Sequence, residues 1–125
     1  MITQSCYNSG MELWGGFKKE TDKETGRELI RITDGDAFCY PLYYFIPSIT
    51  DDGKYLVYHR MDSNELQIHS MELATGKTTK LTDAGYEDTQ WRPWCSKTPP
   101  GVLDHRSVLD SKNNRVIYFD GNKIM

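Results

Sequence analysis

Two His-Arg pairs are the residues best suited to proton-transfer chemistry in this sequence. His59-Arg60 and His105-Arg106 each place a group that titrates near neutral pH beside a guanidinium that can bind a carboxylate through two hydrogen bonds. A base beside a bound carboxylate can remove the proton from the adjacent carbon. His59 and His105 are therefore the candidate catalytic residues.

Each pair also has a structural interpretation, and the sequence leaves both interpretations open. Arg60 could pair with Asp62 in a polar loop after a strand, and Asp104 could form an ion network with the second pair that fixes a turn. His69 lies within a strand-like run, where a histidine is more often a structural, half-exposed residue. We therefore assign no function to His69.

Aromatic residues near Pro41, and in a long segment after residue 83, could stack on a ring of a ligand. Tyrosine and tryptophan rings stack on C–H bonds, and arginine can bind a carboxylate. Packing around a channel, or a loop that buries its own tryptophans, would explain the same residues. The candidate substrate-binding residues are Arg60, Arg106, Arg92, Tyr43, Tyr44, Trp91 and Trp94.

Two interleaved repeats show which elements must position these residues. Residues 47–58 and 106–118 share a serine, two apolar or β-branched residues, an Asp-led turn and two aliphatic residues before a tyrosine. Residues 25–34 and 75–83 share Thr-Gly, a basic residue and a basic–aliphatic–Thr-Asp ending. Four short antiparallel strands in about 40 residues are typical of one propeller blade. The predicted strands of this blade are Ser48–Thr50, Tyr55–His59, Leu66–Leu73 and Thr78–Thr82.

The order of the repeats predicts an all-β fold, a partial β-propeller with one complete four-stranded antiparallel blade and flanking partial blades. A propeller removes its sheet edges by closing a ring, so we expect this chain to be a fragment that ends within a blade. The predicted loops that would open on the face that carries the site are 37–44 with 82–106, and 59–64 with 120–122. The predicted N-terminal portion of a single propeller domain, residues 1–125, comprises an outer strand at about 26–33, the blade at about 43–83 and a partial blade at about 104–125.

Composition and targeting signals exclude several classes of function. The 125 residues carry 15 Lys and Arg against 18 Asp and Glu, a net charge of −3, which excludes a strongly basic nucleic-acid binder. No secretory signal is visible, and no stretch approaches the roughly 20 apolar residues of a membrane span. Cys6, Cys39 and Cys95 are widely spaced, which fits a reducing compartment. We expect a cytoplasmic protein, or a periplasmic one if a signal was lost, with no nucleic-acid or membrane partner.

Residues 47–83 resemble the repeat of the Tol-system periplasmic propeller, because Pro-Ser, Asp-Gly-Lys, an aliphatic pair, an aspartate-rich loop, Met-acidic-Leu, Thr-Gly and Leu-Thr-Asp follow in that order. Residues 20–125 are similar to the N-terminal part of oligogalacturonate lyases and related seven-bladed polysaccharide lyases, including ulvan lyases. In this sequence an outer strand with Thr-Gly-Arg-Glu and Arg-Ile-Thr leads into a Cys-bearing loop and Tyr-Tyr-Phe, and the Asp-Asp-Gly-Lys blade follows. The sequence departs from oligogalacturonate lyases at Tyr40-Pro41, where those enzymes have His-Arg.

The second resemblance implies a lyase that cleaves a uronate-containing oligosaccharide or polysaccharide by β-elimination, with the remaining blades of a parent chain as partners. It also implies that a divalent metal is held by a His-rich cluster in later blades. This sequence has no such cluster, so we expect no cofactor within the chain and no activity from it alone. The alternative is a non-catalytic Tol-type propeller that binds a protein or a peptide, and a third interpretation is the gating propeller of a peptidase.

Overall fold

The computed structural model describes residues 2–3, 11–33, 35, 37–42, 45–85, 107–121 and 123–125. This part of the chain is all-β, as predicted, with one short 3-10 helix at Ser111–Asn113. The strands are β1 (Ile2–Thr3), β2 (Lys18–Thr21), β3 (Glu28–Arg31), β4 (Phe38–Pro41), β5 (Tyr55–Asp62), β6 (Glu65–Glu72), β7 (Thr78–Lys80), β8 (Val108–Asp110), β9 (Arg115–Ile117), β10 (Phe119–Asp120) and β11 (Lys123–Ile124).

A four-stranded antiparallel sheet in the order β4-β5-β6-β7 forms the centre of the structure. Its longest strands, β5 and β6, pair without interruption until Asp62 lies opposite Glu65. Ser63 and Asn64 form the turn between them, with positive φ angles of 48° and 65°. A two-residue turn of this kind matches the twist of the flanking strands, so the ladder stays intact to its end.

The first strand of this sheet is β4, which begins before the predicted start of the blade at about residue 43. β4 pairs with the second half of β5. The predicted first strand, Ser48–Thr50, contributes a single bridge, between Ile49 and Leu56 in the first half of β5. The edge of β5 that faces away from β6 is therefore covered by two short segments, β4 and residues 48–50, rather than by one strand.

Proline explains why this edge is divided. Pro41 ends β4, and because proline has no backbone N–H it is confined to the edges and ends of strands. The chain then leaves the sheet and rejoins β5 at Ser48, which two hydrogen bonds hold in place. The Leu42 N–H donates to Ser48 Oγ (2.9 Å), and the Val57 N–H donates to the Ser48 carbonyl (2.6 Å). The prediction of a loop throughout residues 37–44 is therefore wrong for Phe38–Pro41, which form a strand.

The Thr-Gly repeat of the sequence is also a repeat of structure. In the turn between β2 and β3 the Gly26 N–H donates to the Asp22 carbonyl, and in the turn between β6 and β7 the Gly76 N–H donates to the Glu72 carbonyl, each over 2.8 Å. The two glycines have φ angles of 70° and 71°, in the left-handed region that favours glycine. β2 and β3 are thus the counterparts of β6 and β7, and they belong to a sheet in the order β1-β3-β2.

Hydrophobic clusters lie on both faces of the central sheet. On one face Val57 and Ile68 pack with Leu109 of the β8–β9 hairpin. On the other face Tyr58 packs with Ile30 near the end of β3. The central sheet is therefore enclosed between the N-terminal sheet and the hairpin that follows it in the chain.

Gly76→Ala should destabilise the protein more than Gly26→Ala. Both alanines would carry the strain of a left-handed backbone, about 1–2 kcal/mol. A Cβ at position 76 would also stand 2.5 Å from the Trp14 ring, whereas a Cβ at position 26 meets no atom within 4 Å. Relieving this clash displaces the Trp14 ring, which adds to the loss of stability. Urea unfolding of the two variants measures the difference, and equal losses would contradict the Trp14–Gly76 packing.

Acid should weaken the turn between β8 and β9 through Asp110. Its carboxylate accepts hydrogen bonds from Asn113 (2.9 Å to Nδ2) and Arg115 (2.8 Å), and these bonds hold its pKa below the usual 3.8. The folded chain therefore favours the ionised form, so this stabilisation is complete above pH 3.8 and is lost as the pH falls through the lowered pKa. Asp110→Asn should lower the urea midpoint at neutral pH and leave it unchanged in strong acid. A difference that does not vary with pH would contradict this role.

Candidate active site

His59 and Arg60 lie inside β5 rather than in a loop after it. The sequence predicted that the second strand ends at His59 and that a polar loop follows at residues 61–64, but the strand continues to Asp62. The tight turn explains the difference, because it uses only residues 63 and 64. Met61 and Asp62 therefore stay paired with β6.

The two residues of the pair point to opposite faces of the sheet. Successive side chains along a strand alternate between its faces, and residues directly opposite each other on paired strands share a face. His59 lies opposite Tyr40, whereas Arg60 lies opposite Cys39. The expected arrangement, in which this pair offers a base and a carboxylate clamp to one substrate, is therefore not formed.

His59 is completely buried, with 0% of its surface exposed. Its ring stacks on that of Tyr40, with centroids 4.9 Å apart and planes 21° from parallel. Nδ1 lies 3.4 Å from the carbonyl oxygen of Pro41, and Nε2 lies 3.4 Å from Oγ of Ser107. His59 thereby joins the first strand of the blade to the residue that precedes β8.

One partner of His59 places a proton on its imidazole ring. A carbonyl oxygen only accepts hydrogen bonds, so Nδ1 carries the proton that faces Pro41. Nε2 shares a hydrogen bond with the buried Ser107 hydroxyl. This geometry anchors Ser107 and leaves neither ring nitrogen facing solvent.

Arg60 forms a two-point ion pair with Asp62. Its Nε donates to one carboxylate oxygen over 2.6 Å, and its Nη2 donates to the other over 3.3 Å. The hydrogen bond that Arg60 donates to this carboxylate raises the pKa of Arg60 above its usual value. The pairing that the structural interpretation of the sequence anticipated is present, and a substrate carboxylate could bind Arg60 only by sharing it with Asp62.

A cavity of about 310 Å³ lies beside Arg60, between the central sheet and the N-terminal sheet. Tyr58 and Cys39 line it, and burial raises the pKa of the phenol and of the thiol. The Tyr58 hydroxyl is buried, and no described group forms a hydrogen bond with it. Because both groups are held in their neutral forms, neither is a ready base.

Most of the predicted site lies outside the described residues. Among the candidates the structure places His59 and Arg60, and it places His69 half-buried in β6, where burial lowers the pKa of the imidazole. The His69 ring lies 6.1 Å from that of Tyr58, as expected of a packing residue. The candidates outside the described ranges are His105, Arg106, Arg92, Tyr43, Tyr44, Trp91 and Trp94.

The sequence patterns did not indicate Phe38 as a candidate site residue. Phe38 is 62% exposed, and its ring centroid lies 5.7 Å from that of Tyr40. A spacing of two residues is the signal of a shared strand face, but the proline that follows Tyr40 favoured a loop. The structure therefore adds an exposed aromatic ring to the end of the blade that carries His59 and Arg60.

Within the described ranges, no group of three or more His, Cys, Asp and Glu side chains is arranged to hold a metal ion. The thiol of Cys39 is free. A search of the same ranges for a helix long and apolar enough to cross a membrane finds none.

Comparison with known proteins relates the chain to oligogalacturonate lyases. No family model matches the sequence. The chain is 26% identical over 80 residues to an oligogalacturonate lyase of Dickeya dadantii (strain 3937), a match that covers 64% of this chain and 21% of that protein. Its fold is similar to that of an oligogalacturonate lyase in complex with manganese, with a TM-score of 0.69, 21% identity and coverage of 95% of this chain and 28% of the other. An oligogalacturonate lyase of Vibrio parahaemolyticus gives a TM-score of 0.64, 18% identity and coverage of 83% and 24%.

These similarities define the fold as part of a β-propeller, in which the sheet of β4 to β7 is one blade, as the repeats predicted. They also confirm the resemblance to oligogalacturonate lyases, in sequence and in structure. The chain spans 21% of the length of the curated relative and 28% and 24% of the two solved structures. Because the chain spans so little of these proteins, the similarities do not by themselves assign an activity to the whole protein.

His59→Ala should destabilise the protein by about 2–4 kcal/mol, because it leaves a cavity and removes the hydrogen-bond partner of the buried Ser107 hydroxyl. His69→Ala, at a half-buried position of the neighbouring strand, is the matched control and should lose less stability. Urea unfolding compares the two variants. Nitrogen NMR of the imidazole should also find the proton of His59 on Nδ1, and a proton on Nε2 alone would contradict the assignment.

Proposed function

We propose that the protein to which this chain belongs is a polysaccharide lyase that cleaves a uronate-containing glycan, of the oligogalacturonate or ulvan type, by β-elimination. The observation that supports the proposal is that sequence similarity over 64% of the chain and fold similarity over 95% of it both lead to oligogalacturonate lyases. The substrate is then an acidic oligosaccharide or polysaccharide, and further blades of the same protein complete the ring.

In the proposed reaction a base removes the proton from the carbon next to the uronate carboxylate. The C–O bond at the following carbon breaks, its electron pair leaves with the oxygen, and a carbon–carbon double bond forms between the two carbons. The leaving oxygen takes up a proton, so no water is consumed. Guanidinium groups bound to the carboxylate stabilise the negative charge that develops on it in the transition state.

The burial of His59 changes which residue is proposed for proton transfer. His59 faces Ser107 and the Pro41 carbonyl rather than solvent, so the proposal gives it an anchoring role. Arg60, already bound by Asp62, would be a shared clamp. The other proposed roles are proton transfer for His105, carboxylate binding for Arg106 and Arg92, and sugar contacts for Tyr43, Tyr44, Trp91 and Trp94.

A divalent cation is part of the proposal for the whole protein, because one similar structure is a complex with manganese. The described residues of this chain contain no cluster that fits such an ion. No step of the reaction is therefore assigned to a metal in this part of the protein. The location of the protein, in the cytoplasm or the periplasm, stays a prediction.

The rival function is that of a non-catalytic propeller that binds a protein or a peptide. The closed surroundings of His59 and the pairing of Arg60 with Asp62 favour it, since they leave the described end of the blade without an exposed base beside a free clamp. Such a propeller would bind its partner equally well without His105.

The full-length protein should release unsaturated uronate from polygalacturonate or from ulvan, detected by its ultraviolet absorbance, with Mn²⁺ present. His105→Ala should lower the rate by at least about 100-fold, the usual effect of losing an acid–base group. His69→Ala serves as the control and should leave the rate unchanged. An absence of product from both polymers would count against the lyase and in favour of the rival function.

A further inference from the structure

Phe38 presents a large apolar ring to water on a strand at the edge of the blade. The residue is 62% exposed although it begins β4, and among the described strands β4 pairs with β5 alone. Burying a phenylalanine side chain fully stabilises a protein by about 1.5–3 kcal/mol. This ring therefore gives up most of the benefit that burial would bring, and it is open to contact from a ligand.

The Tyr40 ring lies against Phe38, and the His59 ring supports Tyr40 in turn. The Phe38 ring lies 5.7 Å from that of Tyr40, tilted by 55°, and the Tyr40 ring stacks at 4.9 Å on that of His59. His59 is completely buried and contacts protein oxygen atoms through both nitrogens. A ring supported in this way has few orientations to lose when a ligand binds it, which lowers the entropic cost of binding.

The position of Phe38 suits a site at the mouth of the propeller channel. Phe38 lies opposite Met61, one step from the end of the β5–β6 ladder, and so stands beside the turn at Ser63–Asn64. In chain order β4 is the first strand of the blade, and in a propeller the blades surround a central channel. The exposed ring is therefore at an end of the innermost strand rather than on the outer rim of the blade.

We propose that Phe38 is a stacking platform for one sugar ring of an acidic oligosaccharide, oriented by the Tyr40 ring and, through it, by the His59 ring. This inference rests on the proposed function for the class of ligand. Phenylalanine has no hydroxyl, so it contributes the apolar face that packs against sugar C–H bonds and leaves recognition of the carboxylate to arginine side chains. Phe38 thus selects a flat ring face, and other groups select its charge.

Phe38→Ala tests the platform in the full-length protein, with a galacturonate trimer as the probe and calorimetric or NMR titration as the measurement. The affinity should fall roughly tenfold, consistent with the loss of one apolar ring contact. Phe38→Trp should restore the affinity, because it restores an aromatic face. Phe45→Ala is the matched control, since Phe45 is another exposed phenylalanine (78%) in the excursion after β4, and it should leave the affinity unchanged.

The binding measurement separates this inference from the proposed function, because it needs no bond cleavage. Weaker binding by Phe38→Ala alone supports the platform, whether or not the protein releases unsaturated uronate. Unchanged affinity in Phe38→Ala, equal losses in Phe38→Ala and Phe45→Ala, or no binding of the trimer by the wild type would each overturn it. A large drop in the urea midpoint of Phe38→Ala would also overturn it, because it would mean that protein covers the ring.

Discussion

The ladder between β5 and β6 is the constraint on which the rest of the structure depends. Its pairing continues without a bulge from Tyr55 to Asp62, so every side chain of β5 is committed to one face or the other. Val57 and His59 face the hairpin that follows, and Tyr58 faces the N-terminal sheet. A shift of the pairing by one residue would exchange these sets and place the charge of Arg60 in an apolar cluster.

Two polar contacts fix the central sheet against the next repeat. His59 Nε2 contacts Ser107 Oγ near one end of the blade, and at the opposite end the Asp51 N–H donates to Ser111 Oγ over 2.8 Å. Apolar packing around Leu109 fills the space between the two contacts. Apolar packing tolerates small rotations of one sheet over another, whereas a buried polar group must meet its partner. The buried His59–Ser107 contact therefore constrains the angle between neighbouring repeats, and the exposed Asp51–Ser111 bond adds a second point of attachment.

The sequence predicted those parts of the fold that depend on local chemistry. The Thr-Gly repeat predicted two turns that share one hydrogen-bond pattern, and the pattern from residue 55 to residue 82 predicted the last three strands of the blade. It did not predict the first strand, because Pro41 divides that edge and the pairing of β4 with β5 spans about 20 residues of chain. The candidate site was less predictable than the fold. The adjacency of His59 and Arg60 suggested a shared role, and only the extension of β5 through both residues shows that their side chains lie on opposite faces of the sheet.

The same alternation limits how any site can be built at this end of the blade. Neighbours along an extended strand face opposite ways, whereas residues two apart face the same way and can bind each other, as Arg60 and Asp62 do. A strand of this kind therefore yields internal ion pairs more readily than a base beside a clamp. A base and a clamp that meet one substrate must come from loops, from different strands or from different blades. The described end of this blade supplies an anchor, a paired arginine and an exposed ring, and each would act on a substrate only together with groups from elsewhere in the protein.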